Sequence, residues 1–206
     1  ESMIPYYTSI FGNASSKSHE FGWKAEAAVE NARKQIAGLI GSEPRDVIFT
    51  SGATESVNLA LKGIAEANIT KGNHIITSKI EHEAVLDSCK SLEQKGFEVT
   101  YIGVDEFGLI DLKELENSIS AKSILVSVMY ANNEIGTIQN IKEIGALCKK
   151  RKVLFHTDAT QAIGKFPVNV LEDNIDLMSF SSHKIYGPKG VGALYIKSKF
   201  PKIRLT

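Results

Sequence analysis

The sequence predicts an α/β domain in which a mostly parallel central sheet carries helices on both faces. Three observations support that expectation. Short apolar or β-branched segments alternate with longer segments of helical spacing along the chain. Some of the short segments, such as Ile124–Met129, are almost continuously apolar, as strands covered on both faces are. The residues able to do chemistry follow directly after strands, where such sheets bind their ligands.

The elements follow in order. Residues 20–40 form the first predicted helix, with Ala28, Val29, Ala32, Ile36, Leu39 and Ile40 on one face and Gly41 as its C-terminal cap. Val47–Thr50 is long enough for a buried strand, and Glu55–Ala67 returns to helical spacing. His74–Ser78 is short and β-branched, hence a strand, and Glu83–Lys95 is a helix stopped by Gly96. Glu98–Val104 reads as a strand, Asp111–Ile119 as a helix and Ser123–Tyr130 as the longest strand. Ile141–Lys152 is a helix, and Val153–Ala159, Ile175–Ser181 and Val191–Lys197 are further strands. A short helix is expected near Gln161–Gly164. No repeat, low-complexity tract or Pro/Gly/Ser-rich linker divides the chain, so residues 1–206 read as one domain.

Composition narrows the function classes. Of 206 residues, 43% are hydrophobic and 23% charged, enough for a sizeable core and against a mainly disordered state. Lys plus Arg equals Asp plus Glu at 24 each, so no net charge draws the chain to nucleic acid. The apolar runs fall far short of a membrane span. Two cysteines make no disulfide framework and fit a reducing compartment. Lys149–Lys152 suit a helix C-terminus. Lys197, Lys199, Lys202 and Arg204 read as a solvated strand exit, and neither group is assigned a partner. The chain starts Glu1-Ser2-Met3 without a signal-like segment and stops just past an apolar run, so a piece of a longer protein is expected.

Four strand ends carry the chemistry. Thr50-Ser51-Gly52-Ala53-Thr54 leads into a helix, and the outward amides of Ala53 and Thr54 with nearby hydroxyls make an anion site; Ser51 or Thr54 could instead simply cap the helix. No Gly-Lys-Ser/Thr follows and the second and third glycines of a dinucleotide loop are missing, so both of those phosphate loops are excluded. His82 follows the second strand, and no second His at helical spacing completes a zinc site. Asn132 and Asn133 follow the long strand, where they suit a turn or offer amides to a ligand. Asp158 ends an apolar strand and, being costly to bury unpaired, either caps the next turn or pairs with a protonated ligand nitrogen. Ser181-Ser182-His183-Lys184 ends another strand, and a lysine there is a candidate desolvated amine able to form a Schiff base. Together, an anion cradle, an acid, a ring-sized His and a Lys on one sheet edge match what one cofactor needs, pyridoxal 5′-phosphate (PLP).

The stretches TSGATESVNLALKG, EHEAVLDSC, NNEIGTIQ, HTDATQAIGK and SFSSHKIYGPKGVGALYI resemble the cysteine desulfurases of iron–sulfur cluster assembly, on the class V aminotransferase branch of the fold-type I PLP enzymes. The resemblance covers essentially the whole chain. It implies that Lys184 holds PLP and that Asp158 keeps the ring nitrogen protonated. It implies that His82 stacks on the ring and moves protons, with Lys184 the second catalytic residue. Gln161 then bonds the phenolic oxygen, Asn133 sits by that oxygen and the substrate carboxylate, and Ala53, Thr54, Ser181 and His183 hold the phosphate. No metal is implied.

The implied reaction takes sulfur from L-cysteine, releases L-alanine and leaves a persulfide on a catalytic cysteine for transfer to a scaffold protein. The resemblance also implies a homodimer, no nucleic-acid or membrane partner, and a cytoplasmic or mitochondrial-matrix location. Residues 1–206 correspond to part of the PLP-binding large domain, and the small C-terminal domain and the catalytic-cysteine loop are expected outside this chain. Cys89 and Cys148 lie in predicted helices and read as inert core residues, so this chain alone is expected to be inactive. Glu83 and Ser182 stand where relatives often carry Lys and Gly. Alternatives are a selenocysteine lyase or aminotransferase of the same fold, or a non-catalytic module that keeps the fold and binds partners.

Overall fold

The computed structural model describes residues 1–198, 203 and 205. Its helices are α1 (Ile4–Thr8), α2 (Glu20–Ile40), α3 (Ala53–Asn68), α4 (Glu83–Glu93), α5 (Leu112–Ser118) and α6 (Ile141–Arg151). Its strands are β1 (Val47–Thr50), β2 (His74–Ser78), β3 (Glu98–Ile102), β4 (Ser123–Ser127), β5 (Leu154–Asp158), β6 (Leu177–Ser181) and β7 (Gly192–Ile196). The predicted alternation is therefore present, with ends shifted by a few residues. Single-turn 3₁₀ segments at Pro44–Asp46 and Ser182–Lys184 flank two of the strands.

The seven strands form one sheet in the order β1-β7-β6-β5-β4-β2-β3. β3, β2, β4, β5 and β6 are mutually parallel, and β7 runs antiparallel between β6 and β1. The sheet is thus mostly parallel, as expected, with one reversed strand. Alternation along each strand sends side chains to two separate cores. Ile76, Val126, Phe155, Met178 and Tyr195 pack on the face covered by α2, α5 and α6. Ile75, Leu125, Leu177 and Leu194 pack on the face covered by α3 and α4. Burial on both faces explains why these strands read as continuous apolar runs.

Buried polar residues interrupt that pattern, and His156 is the largest of them that is fully buried. His156 faces the α3 side, with Nδ1 2.8 Å from Ser127 Oγ and Nε2 2.9 Å from Ser179 Oγ. The two hydroxyls satisfy both ring nitrogens, so β4, β5 and β6 are cross-linked one layer below the ends that build the site. Burial lowers the His156 pKa to about 3, so the ring is neutral.

Several expectations are corrected. α1 was not predicted; at five residues it is too short to show periodicity, and it buries no residue. The helix expected near Gln161–Gly164 is a pair of turns, held by the amides of Ala162 and Ile163 donating to Ala159 O. On α2 the buried stripe is narrower than predicted: Ala25, Ala37 and Ile40 are buried, whereas Val29 and Leu39 are exposed, Leu39 at 52%. Gly41 does cap that helix, at φ 71°, a left-handed conformation that glycine adopts without steric cost. Of the basic groups, Arg151 pairs with Glu116 at 2.8 Å and Lys197 with Asp176 at 3.0 Å. Lys199, Lys202 and Arg204 lie outside the described residues. Among the described residues no helix is long and apolar enough to cross a membrane, and no group of three metal-ligating side chains is arranged to hold an ion.

Candidate active site

β1 runs in the same direction as the parallel strands, so the exits of β1, β2, β4, β5 and β6 share one edge of the sheet. A cavity of about 400 Å³ opens there. All of the predicted site residues line it: Ala53, Thr54, His82, Asn133, Asp158, Gln161, Ser181, His183 and Lys184.

The turn after β1 is locked at the cavity wall, which Ser51 and Glu55 both line. Ser51 donates both its amide and its hydroxyl to Glu55 Oε2, each at 2.6 Å. Gly52 is the N-cap and no side chain caps the helix, so capping by Ser51 or Thr54 is not how this turn is used. Among the described residues no acceptor meets the amides of Ala53 and Thr54. Gly52 also lies against the start of β7, where a Cβ on Gly192 would stand 2.6 Å from the Gly52 Cα. Gly192→Ala is therefore expected to force the two backbones apart at a cost of about 1–3 kcal/mol. A urea-denaturation midpoint equal to that of the parent chain would contradict this close approach.

The other strand ends complete the wall. Ser181 Oγ lies 2.8 Å from His183 Nδ1, beside the Ala53 end of the cradle. The loop after it folds onto itself: the Ser182 amide donates to Val191 O at 3.0 Å and the Ser182 hydroxyl donates to Pro188 O. Lys184 is exposed on the cavity wall, and no acceptor holds its amine among the described residues. The expected desolvation of Lys184 is thus absent from this chain, because the sheet ends at Ser181 and the cavity is open beyond it. His82 caps α4, and its Nδ1 accepts from the Ala84 amide at 3.1 Å, which leaves Nε2 as the proton-bearing nitrogen of the neutral ring. Gln161 accepts from Lys165 Nζ at 2.6 Å through Oε1, and its amide group remains available.

The two asparagines divide the roles left open by sequence. Asn132 is buried and structural: its Oδ1 accepts from the amides of Glu134 and Ile135, and its Nδ2 donates to Ile80 O at 2.9 Å. Asn133 alone faces the cavity.

Asp158 is buried, and its Oδ1 accepts from the Thr160 amide at 2.9 Å. Among the described residues its other oxygen accepts no further hydrogen bond, and the Thr160 hydroxyl stands near the carboxyl. Burial raises its pKa, opposed by the Thr160 bond and by nearby His82. Sequence reasoning missed Thr160, Met129, Ala131 and Lys189, which also line the cavity, and the buried Glu81 behind it. Thr160 had a local signal, two residues after Asp158, whose carboxyl its side chain and amide both face. Lys189 was hidden in a glycine-flanked loop that reads as a turn.

Glu81 and His156 give the chain opposite pH dependences. Burial, assisted by the Asp158 charge, lifts the Glu81 carboxyl from 4.5 to about 8. Its stabilising contribution is therefore full below pH 4.5 and is lost as pH rises through about 8. The depressed His156 contributes fully above pH 6.5 and loses its contribution as pH falls toward about 3. Between pH 6.5 and 8 only Glu81 of the pair acts, so Glu81→Gln is expected to flatten a decline in urea midpoint over that interval. An unchanged slope would assign the decline to another group.

A family model described as aminotransferase class-V matches residues 1–203. The chain belongs to the class-V aminotransferase family. Members of this family depend on PLP. Over 205 residues the class-V chain is 60% identical to the cysteine desulfurase IscS of Neisseria meningitidis serogroup A / serotype 4A, a match covering 100% of this chain and 50% of that protein. A solved structure of SspA in complex with cysteine superposes with a TM-score of 0.92 at 43% identity, over 95% of this chain and 56% of that one. A NifS-like protein superposes with a TM-score of 0.93 at 44% identity, over 97% and 55% of the two chains. The class-V chain spans about half the length of the curated relatives it matches. Within it both cysteines are buried, and burial pushes the Cys89 and Cys148 thiols up to about 12, as inert core residues require.

Proposed function

We propose that this chain is the cofactor-binding part of a PLP-dependent cysteine desulfurase, which converts L-cysteine to L-alanine and passes the sulfur atom to a protein thiol as a persulfide. The observation that carries the reading is the convergence of nine chemically suited residues, from five strand exits, on one cavity of about 400 Å³. Similarity to the desulfurases supports the choice of reaction.

The residues fit the cofactor on their own chemistry. The acceptor-free amides of Ala53 and Thr54, at the positive end of α3, suit a phosphate, with Ser181 and His183 beside them. The open oxygen of Asp158 suits a protonated ring nitrogen, and a bound cation there would offset the cost of burying that carboxylate. The Lys184 amine is free to bond an aldehyde carbon. Bound PLP supplies an aldehyde that holds the substrate amine and a protonated ring that withdraws electrons from the substrate.

The chain's side chains then have these tasks. Asp158 would hold the ring proton in place. His82, fixed through Nδ1, would lie against the ring and offer Nε2 for proton transfer. Gln161 and Asn133, which line the cavity, would offer amides to the ring oxygen and the substrate carboxylate. The thiol that receives sulfur is neither Cys89 nor Cys148, since both are buried, and it belongs to the part of the protein that this chain does not span. A homodimer, a sulfur-accepting scaffold partner and a cytoplasmic or mitochondrial-matrix location belong to the same proposal.

The test is product analysis with the full-length protein and L-cysteine: alanine and persulfide sulfur in equal amounts are expected. A keto acid without sulfur release would make the protein an aminotransferase. Turnover of selenocysteine alone would make it a selenocysteine lyase.

A further inference from the structure

β2 and β4 are neighbours whose continuations leave toward opposite faces, α4 onto the α3 side and α6 onto the other. The divergence opens the crevice where His82 and Asn133 stand, as at topological switch points generally. The sheet ladder between the two strands ends at the pair Thr77–Ser127, so it does not tie the two exits together.

Glu81 supplies that tie. Its Oε1 accepts from the Ser78 hydroxyl at 2.6 Å, at the end of β2, and from the Met129 amide at 2.9 Å, across the crevice. The bond from Asn132 Nδ2 to Ile80 O is a second strap over the same gap. Glu81 is only 6% exposed, so water does not compete for these bonds. Among the described residues its Oε2 is buried with no partner. An ionised carboxylate with an empty buried oxygen is costly, whereas a carboxylic acid leaves a much smaller debt.

We propose that Glu81 is a positioning residue of this site: a buried carboxyl that clamps the exit of β2 to the exit of β4 and so fixes the turn from which His82 faces the cavity. The inference rests on reading the cavity as the PLP site, and it deepens that reading. The clamp works as the acid. The titratable groups facing it are Asp158 at the end of β5 and Cys89 on α4. Cys89 is a neutral thiol, and the Asp158 charge opposes a second negative charge. Burial is the larger effect and carries the Glu81 carboxyl to about 8, so it keeps its proton at neutral pH. His82 depends on the clamp because its orientation is set by the adjacent turn through the Nδ1 bond to Ala84.

The test compares Glu81→Ala, Glu81→Gln and Glu81→Asp in the full-length protein with two readouts. Without cofactor, NMR of the His82 imidazole is expected to show shifted ring signals in Glu81→Ala and Glu81→Asp, and near-parental signals in Glu81→Gln, whose carbonyl still accepts from Ser78 and Met129. With PLP and L-cysteine, Glu81→Ala is expected to lower kcat about 10- to 100-fold with KM nearly constant, as misplaced catalytic groups do. Glu81→Gln is expected to recover most of that loss. Should Glu81→Ala not fold, Glu81→Asp still decides the matter, because it keeps the carboxyl and shortens the reach. Parental His82 signals in the shortened variants would overturn the clamp. Glu81→Gln as impaired as Glu81→Ala would overturn the role of the acid. If the parent protein takes up no PLP, the cavity reading fails while the cofactor-free spectra still judge Glu81.

Discussion

Lys184→Ala is expected to abolish covalent attachment of PLP, read as the mass added to the intact protein after borohydride reduction. The amine sits on the single turn that follows β6, between the cradle at Ala53 and Thr54 and the acid at Asp158. Its competitors are few. Lys165 lies nearby but is engaged by Gln161 at 2.6 Å. Lys189 lines the cavity too, beside Gly190. The substitution therefore separates two assignments: loss of the adduct places the bond on Lys184, and a retained adduct that disappears only in Lys189→Ala would move it to the glycine-flanked loop. Because Lys184 is exposed and its side chain makes no bond among the described residues, the variant is expected to melt like the parent protein.

Asp158→Ala is expected to lower turnover by about 10²- to 10³-fold, the scale seen when one preorganised electrostatic group is removed. Gln161→Ala removes a neutral hydrogen bond and is expected to cost about tenfold or less. Equal losses would deny Asp158 its role as the partner of a charged ring. Asp158 also carries a stability signature that needs no substrate. Burial raises its folded pKa, so its stabilising contribution is full at acid pH and is lost as pH rises through that raised value. Asp158→Asn is therefore expected to melt higher than the parent at neutral pH without PLP, and that advantage is expected to shrink or reverse once cofactor is added. A variant that melts lower in both conditions would mean that the carboxylate is held by protein groups alone.

The strands and helices were legible because burial on both faces writes itself as apolar runs, and amphipathic packing as helical spacing. The elements that were not legible were the ones without such a signature. α1 buries nothing, and the turns after Asp158 depend on local amide bonds to Ala159. The width of the buried stripe on α2 was not legible either, since Leu39 is apolar yet finds no surface to cover it. At the site, residue type and place after a strand were enough to select Lys184, Asp158, His82 and the Ala53–Thr54 turn. They could not decide between capping and ligand binding at Ser51 and Thr54, or between Asn132 and Asn133. The structure removes the capping reading, since Glu55 takes the Ser51 donors and no side chain caps α3, and it assigns Asn132 to its own turn.

The sequence by itself determined the class of fold, the edge of the sheet that carries the chemistry and the kinds of group gathered there. Those properties follow from local order: what each strand is made of and what comes directly after it. Only the tertiary structure decided that Glu81 reaches Met129, 48 positions on, and that His156 joins Ser127 and Ser179 beneath the site. These contacts cross between strands that are distant in the chain. Their existence depends on strand order and register, which sequence spacing does not encode.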